Sequence, residues 1–136
     1  MIKPIMKSEF FLRLPSEDAG PDDAATGQDL LDTLHEHERE CVGVAANMIG
    51  VRKRIICVKD SNRTLLMYNP QILEQVNAYQ TSEGCLSLAG ERPCTRYRRI
   101  KVEYLDENFV RRIKNFSGYT AEIIQHEIDH CQGIVI

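Results

Sequence analysis

The last twenty residues carry apolar side chains at helical spacing. Ala121, Ile124 and Ile128 recur three and four positions apart, so a helix here would bury one face against the rest of the protein. Ser117 precedes this stretch and is expected to cap the helix with its hydroxyl. Gly133 follows it and supplies a stop signal. The pattern predicts a buried helix close to the C-terminal end of the chain.

A second helix is predicted near the start of the chain. Leu30, Leu31 and Leu34 form a narrow apolar stripe, and the acidic pair Asp22 and Asp23 suits a helix N-terminus. We therefore expect a helix from residue 24 to about residue 40. Residues 1–22 are rich in proline and glycine and predict a non-helical arm over the core.

The middle of the chain alternates short β-prone runs with turn residues. Two turn sequences, Asp60-Ser61-Asn62 and Asn69-Pro70, divide an expected antiparallel meander, and Asp106-Glu107-Asn108 joins an expected hairpin. The predicted strands are 55–58, 64–68 and 72–76 in the meander, and 99–105 and 109–114 in the hairpin. The fold class is therefore α+β, with antiparallel β-sheets packed around the C-terminal helix and one N-terminal helix.

Length and composition narrow the class of protein. The 136 residues suit a single domain, 1–136, and a formal charge of −3 gives no general attraction to DNA or to a membrane surface. Lys7, Glu9 and Arg13 interrupt the apolar N-terminal residues, so neither an export signal nor a membrane span is expected. The five cysteines show no paired spacing, which favours reduced thiols and a cytoplasmic location.

The predicted C-terminal helix contains His126-Glu127-Ile128-Asp129-His130. Residues four apart on a helix share one face, so both imidazoles can bind one divalent metal. A carboxylate beside them, here Glu127, is what removing a proton from an activated water requires. The alternative is an amphipathic helix whose polar face happens to carry two histidines.

A third protein ligand is expected from a loop further upstream. Glu83-Gly84-Cys85-Leu86-Ser87 lies between the meander and the hairpin, and a Cys85 thiolate would complete a Cys-His-His site with its fourth position open.

These stretches resemble the peptide deformylase family from about residue 30 onward. The family shows a Gly-x-Gly-x-Ala-Ala-x-Gln stretch, a Glu-Gly-Cys-Leu-Ser loop and a His-Glu-x-Asp-His helix, and the last two are intact here. The resemblance implies a hydrolase that removes the N-formyl group from the initiating methionine of new polypeptides. It implies Cys85, His126 and His130 as ligands of one metal, typically iron(II), with zinc, nickel or cobalt as alternatives. Glu127 would then be the general base and later the acid.

Further roles follow from the same resemblance. The N–H of Leu86 would donate to the oxyanion, and Gly43, flanked by Val42 and Val44, would pair with the substrate as an added strand. Glu83 would orient a ligand histidine, or else serve only as the partner of Arg96. The expected partner is an N-formyl-methionyl peptide or nascent chain.

The first family motif is altered in this chain. Cys41 stands where the family has its first glycine, and Met48 stands where it has the glutamine that stabilises the oxyanion. A thioether has no proton to donate, and losing one such donor costs about a hundredfold to a thousandfold in turnover. The neighbouring Asn47 should point to the opposite face. Two functions remain: a working deformylase with turnover reduced by Met48, or a weakened or inactive metal-binding module that binds peptide N-termini.

Basic residues gather shortly before and within the predicted hairpin. A solvated strand face is the first interpretation, and an RNA-contacting patch, consistent with a transient ribosome contact, is the alternative. The residues are Arg92, Arg96, Arg98, Arg99, Lys101, Arg111, Arg112 and Lys114.

Overall fold

A computed structural model describes residues 1–136 and shows three α-helices and five strands. The helices are α1 (Glu9–Leu12), α2 (Ala24–Glu36) and α3 (Gly118–Cys131), and the strands are β1 (Gly43–Ala45), β2 (Ile55–Asp60), β3 (Arg63–Glu83), β4 (Arg92–Leu105) and β5 (Arg111–Ser117). Two short 3-10 helices, Pro21–Asp23 and Ala46–Ile49, complete the fold. None of the helices has the length and apolar run needed to cross a membrane.

The strands form one antiparallel sheet in the order β1-β2-β3-β4-β5. Helix α3 packs on β1, β2 and β4, and the core fills the space between the helix and the sheet. The predicted α+β class, with a C-terminal helix on antiparallel strands, is confirmed. Because β1 and β5 are the two edges of the sheet, each leaves one side without a strand partner.

The predicted turn at Asn69-Pro70 is wrong, because both residues lie inside the continuous strand β3. The pairing with β4 shifts between Tyr68 and Gln71, so the proline occupies a bulge where no ladder donor is needed. Asn69 adopts a positive φ of 52°, and its side chain bonds both backbone groups of Ala19. A second shift follows between Ile72 and Glu74.

The other two turns form where the sequence predicted them. Ser61, at φ 57°, lies in the turn between β2 and β3. Asp106 closes the hairpin of β4 and β5 by accepting hydrogen bonds from the N–H groups of Asn108 and Val110. Strand β4 starts at Arg92, seven residues earlier than predicted, because its first half pairs with the long end of β3.

The C-terminal helix has the predicted face and the predicted end. Ala121, Ile124 and Ile128 are buried, and Gly133 at φ 77° lets the Ile134 N–H bond back to the carbonyl of Asp129. The expected cap is only partly correct. Ser117 occupies the N-cap position, but its hydroxyl makes no capping hydrogen bond.

Two predictions for the N-terminal part need correction. The arm contains the single helical turn α1, because the Ser8 hydroxyl accepts from the Phe11 N–H and Leu12 is fully buried. Helix α2 ends at Glu36 rather than near residue 40. After Leu34 no apolar side chain continues the stripe until Cys41, so nothing remains for a further helical turn to bury.

Gly133 should be sensitive to substitution, because the neighbouring atoms are backbone atoms that cannot easily move aside. An added Cβ would lie 2.4 Å from the carbonyl oxygen of Arg13, and the residue also has a positive φ. We expect Gly133→Ala to lower the free energy of unfolding by at least about 2 kcal/mol in a denaturant titration. Gly118→Ala is the matched control, because Gly118 has φ 62° and open space around its Cβ position, and should cost about 1 kcal/mol. Equal losses in the two variants would contradict the close contact.

Candidate metal centre and active site

The structure brings Cys85, His126 and His130 together. Their ligand atoms all lie within 4.8 Å of one another, and no other group of three metal-binding side chains is present in the described chain. Helix α3 supplies both histidines from successive turns, and the loop after β3 supplies the cysteine. The three residues predicted as ligands therefore form one cluster.

The geometry of the cluster fits a single cation. The Nε2 atoms of His126 and His130 are 3.2 Å apart. Two nitrogens that each lie about 2.05 Å from one tetrahedral zinc ion would be about 3.3 Å apart. A buried polar atom beside the cluster, Glu127 Oε1, also lacks a hydrogen-bond partner. A metal and its solvent would occupy polar space that the protein itself leaves unsatisfied.

The cysteine is prepared for ligation. Burial opposes its ionisation, but hydrogen bonds from His126 and His130 outweigh that effect and lower the pKa of the Cys85 thiol to about 5. The His126 imidazole shifts in the opposite direction. Burial disfavours its charged form, but the hydrogen bonds to Cys85 and Glu83 raise the pKa of His126 to about 10. A thiolate next to imidazoles is the donor set that divalent transition metals prefer.

Glu83 links a ligand histidine to a buried arginine. Its carboxylate lies 2.7 Å from His126 Nδ1 and accepts from Arg96 Nη2 at 2.8 Å. Arg96 also donates to Asp129 at 2.7 Å, so the arginine joins β4 to α3. Burial raises the pKa of Glu83, but these hydrogen bonds prevail and hold that pKa far below its usual range. The two roles considered for Glu83, orienting a histidine and pairing with Arg96, are thus combined in one contact.

Glu127 is enclosed beside the cluster. It is 3% exposed, lines the cavity, and has one carboxylate oxygen without a hydrogen-bond partner. Burial raises its pKa above the usual value, while the neighbouring imidazoles of His126 and His130 act in the opposite direction. A carboxylate of this kind is suited to accepting and returning a proton.

Gly43 lies directly against Glu127. A Cβ on Gly43 would come within 2.7 Å of the Ile123 side chain and 2.9 Å of Glu127 Oε2, so only glycine fits. The Val42 carbonyl accepts from Lys59, which turns the peptide groups of Val42 and Val44 toward β2. The groups of Gly43 therefore face the free edge of β1, where its carbonyl accepts from the Cys41 thiol at 2.9 Å.

Leu86 offers a free backbone donor next to Cys85. Its N–H makes no hydrogen bond within the protein, whereas its carbonyl accepts from Lys7 Nζ at 2.6 Å. The residue lines a cavity of about 780 Å³ together with Val42, Gly43, Glu83, Cys85, His126 and Glu127.

Comparison with known proteins gives the same assignment. A model of the polypeptide deformylase family matches residues 6–136. A peptide deformylase of Clostridium beijerinckii is 50% identical over 136 residues, all of both chains. The chain belongs to the polypeptide deformylase family. Deformylases are metalloenzymes that remove N-formyl groups from nascent peptides. The family match and the identity over the full chain extend this deformylase function to the present chain. They do not favour the alternative of an inactive module that binds peptide N-termini.

Solved deformylase structures agree with the fold. The Met-Ala-Ser-bound class I type b enzyme of Acinetobacter baumannii superposes with a TM-score of 0.87 at 30% identity, covering 99% of this chain and 97% of that one. The Thermus thermophilus enzyme gives a TM-score of 0.87 at 31% identity and covers 99% and 83%. The five-stranded sheet with α3 on one face is the deformylase architecture.

Met48 departs from the expected deformylase arrangement. Its side chain is buried and does not line the cavity, and its sulfur accepts from the Ala45 N–H at 3.4 Å. Methionine sulfur can only accept a hydrogen bond, so a backbone N–H is a suitable partner for it. Asn47 does not replace it, because its amide donates to the carbonyls of His130 at 2.9 Å and Leu12 at 3.5 Å.

Three residues that line the cavity were not predicted from the sequence. Tyr119, Glu122 and Ile123 line the same deformylase cavity as His126. They lie seven, four and three positions before this histidine, so helical spacing alone places them on its face and could have identified them. Nothing local indicated Lys7, whose contact with Leu86 spans 79 residues of sequence.

The ligand assignment predicts the metal content of variants. Loss of a residue that merely orients a ligand already weakens metal binding by about 10- to 100-fold, so Cys85→Ala and His130→Ala should weaken it more. Elemental analysis after gel filtration against a weak chelator measures the outcome. Cys94→Ala is the matched control, because Cys94 is a half-buried cysteine outside the cluster. Full metal content in the Cys85 or His130 variant would refute the assignment.

Proposed function

We propose that Cys85, His126 and His130 hold one divalent metal and that Glu127 moves the proton during deformylation. The buried carboxylate of Glu127, with its unpartnered oxygen next to the ligand cluster, is the observation that carries this proposal. Iron(II) is the metal that we propose for the cell, with zinc, nickel or cobalt able to occupy the same donors.

The substrate lies along the free edge of β1. The outward N–H and carbonyl of Gly43 pair with the backbone of a formyl-methionyl peptide, while Val42 and Val44 keep the strand joined to β2. For this pairing the Cys41 thiol must release the Gly43 carbonyl. A Met-Ala-Ser peptide bound to the Acinetobacter baumannii relative supports a peptide ligand here.

Hydrolysis then proceeds through the side chains around the cluster. A bound divalent metal supplies Lewis-acid chemistry, which makes water nucleophilic at neutral pH and polarises a carbonyl. Glu127 takes a proton from the attacking water and delivers it to the leaving amine, so that formate and a free N-terminus are produced. The N–H of Leu86 donates to the developing oxyanion. Glu83 keeps the His126 ring in place through its Nδ1 contact.

The remaining proposals concern the setting of the enzyme. We propose a single catalytic domain over residues 1–136, which one core cluster of 25 buried residues supports. A cytoplasmic location follows from the nascent-chain substrate. The basic hairpin gives little support to a ribosome contact, because Lys101, Arg111 and Arg112 are paired with acidic side chains and Arg96 is buried.

Glu127→Gln tests the proton transfer. The amide preserves shape and removes the base, so formate release from a formyl-Met peptide by anaerobically prepared protein should fall by about a hundredfold to ten-thousandfold, with metal content unchanged. Glu107→Gln, at an exposed turn, controls for the loss of one acidic charge. Turnover retained in the Glu127 variant would assign the base to another group.

Met48→Gln tests the departure from the family motif. An amide can accept from the Ala45 N–H as the sulfur does and still has N–H groups to donate toward the oxyanion. We expect turnover to rise more than about tenfold and at most about a hundredfold, with little change in KM because the bond strengthens in the transition state.

Met48→Leu is the matched control for this substitution, because leucine fills similar space and has no donor. It should leave turnover low. If both variants behave alike while metal content and folding are preserved, the missing donor at this position does not limit the reaction.

A further inference from the structure

One wall of the cavity carries a carboxylate that the reaction does not use. Glu122 lies on α3 one turn before His126 and lines the cavity between Tyr119 and Ile123. It is half-buried, and its position in the helix directs it to the side of the cluster rather than to the face occupied by Glu127. Gly43 at the free edge of β1 lines the same cavity, so a side chain of a peptide bound along that edge can reach Glu122.

Glu122 is held in place from the sheet. The hydroxyl of Tyr79 donates to its Oε1 at 3.3 Å. The Tyr79 ring is itself fixed by Arg98, whose guanidinium carbon lies 4.5 Å from the ring centroid. These contacts order the carboxylate, while burial and the adjacent Glu83 carboxyl group raise its pKa.

Glu122 and its neighbour Glu83 differ in their charged partners. Glu83 is paired with Arg96 and His126, whereas Glu122 forms no ion pair in the described chain. The cavity therefore contains a partly desolvated acceptor that an apolar ligand side chain leaves unsatisfied. A side chain ending in N–H donors would satisfy it.

We propose that Glu122 determines the side-chain preference of this site, raising its acceptance of N-formyl substrates whose first side chain ends in a hydrogen-bond donor relative to methionine. This inference rests on the proposed deformylase function and specifies its substrate class. Acidic side chains are disfavoured at the same position, because they meet the like charge of Glu122.

Methionine and glutamine provide a matched pair of substrates. Their side chains have similar length, but only glutamine ends in N–H donors. We compare kcat/KM for formyl-Met-Ala-Ser and formyl-Gln-Ala-Ser in the parent protein and in Glu122→Leu. A hydrogen bond to a charged group at a half-exposed site gives an expected shift of about tenfold toward methionine in the variant. Glu107→Leu, which removes a charge outside the cavity, should leave the ratio unchanged.

The outcomes separate this inference from the proposed function. An unchanged ratio in Glu122→Leu, or an equal shift in Glu107→Leu, would overturn it. If none of the proteins hydrolyses either substrate, the proposed function fails. Calorimetric binding of Met-Ala-Ser and Gln-Ala-Ser then decides the inference, since it requires a weaker relative affinity for Gln-Ala-Ser in Glu122→Leu.

A second variant covers loss of folding in Glu122→Leu. Glu122→Gln keeps the shape and removes the charge, and should raise the kcat/KM of formyl-Glu-Ala-Ser relative to formyl-Gln-Ala-Ser by about tenfold over the parent. No change in that ratio, with metal content and circular dichroism preserved, would equally overturn the role of Glu122.

Discussion

The buried contact of Glu83 with Arg96 and His126 holds the active site together. It joins the end of β3, the first half of β4 and the middle of α3 at one point. Buried charges are costly unless each is paired, so neither the arginine nor the carboxylate can be lost alone without leaving an unpaired charge in the core. The Asp129 contact closes the network one turn later on the same helix. The same group of contacts therefore orients His126 and anchors α3 to the sheet.

The second constraint is the absence of space between β1 and α3. Gly43 approaches Glu127 so closely that a single Cβ would displace it, which sets the distance between the free strand edge and the carboxylate that we propose as the proton carrier. A peptide that extended the sheet at this edge, as proposed, would lie beside the cluster of Cys85, His126 and His130. The geometry of the sheet and the chemistry of the site are thus set by one close packing contact.

Several positions were decided by contacts that local patterns do not show. Pro70 ends a strand by local rules, but Asn69 bonds to Ala19 from the N-terminal arm, and the bulge is kept inside β3. Met48 stands where the family glutamine is expected, and its sulfur accepts from the Ala45 N–H rather than lining the cavity. Asn47, expected to point away from that position, donates to the His130 carbonyl 83 residues away. In each case a partner distant in sequence, or a local backbone donor, determined the outcome.

The sequence by itself determined the elements whose signal is periodic and the ligands whose spacing is local. The helical stripe ending at Ile128, the i and i+4 placement of His126 and His130, and the cysteine in its glycine-flanked loop were all readable, because helix geometry converts spacing into a shared face. Only the tertiary structure decided which groups surround the ligands. Strand register brings Glu83 to Arg96, and the position of α3 across the sheet exposes Glu122 to the cavity. Long-range contacts of this kind leave no periodic pattern in a single sequence.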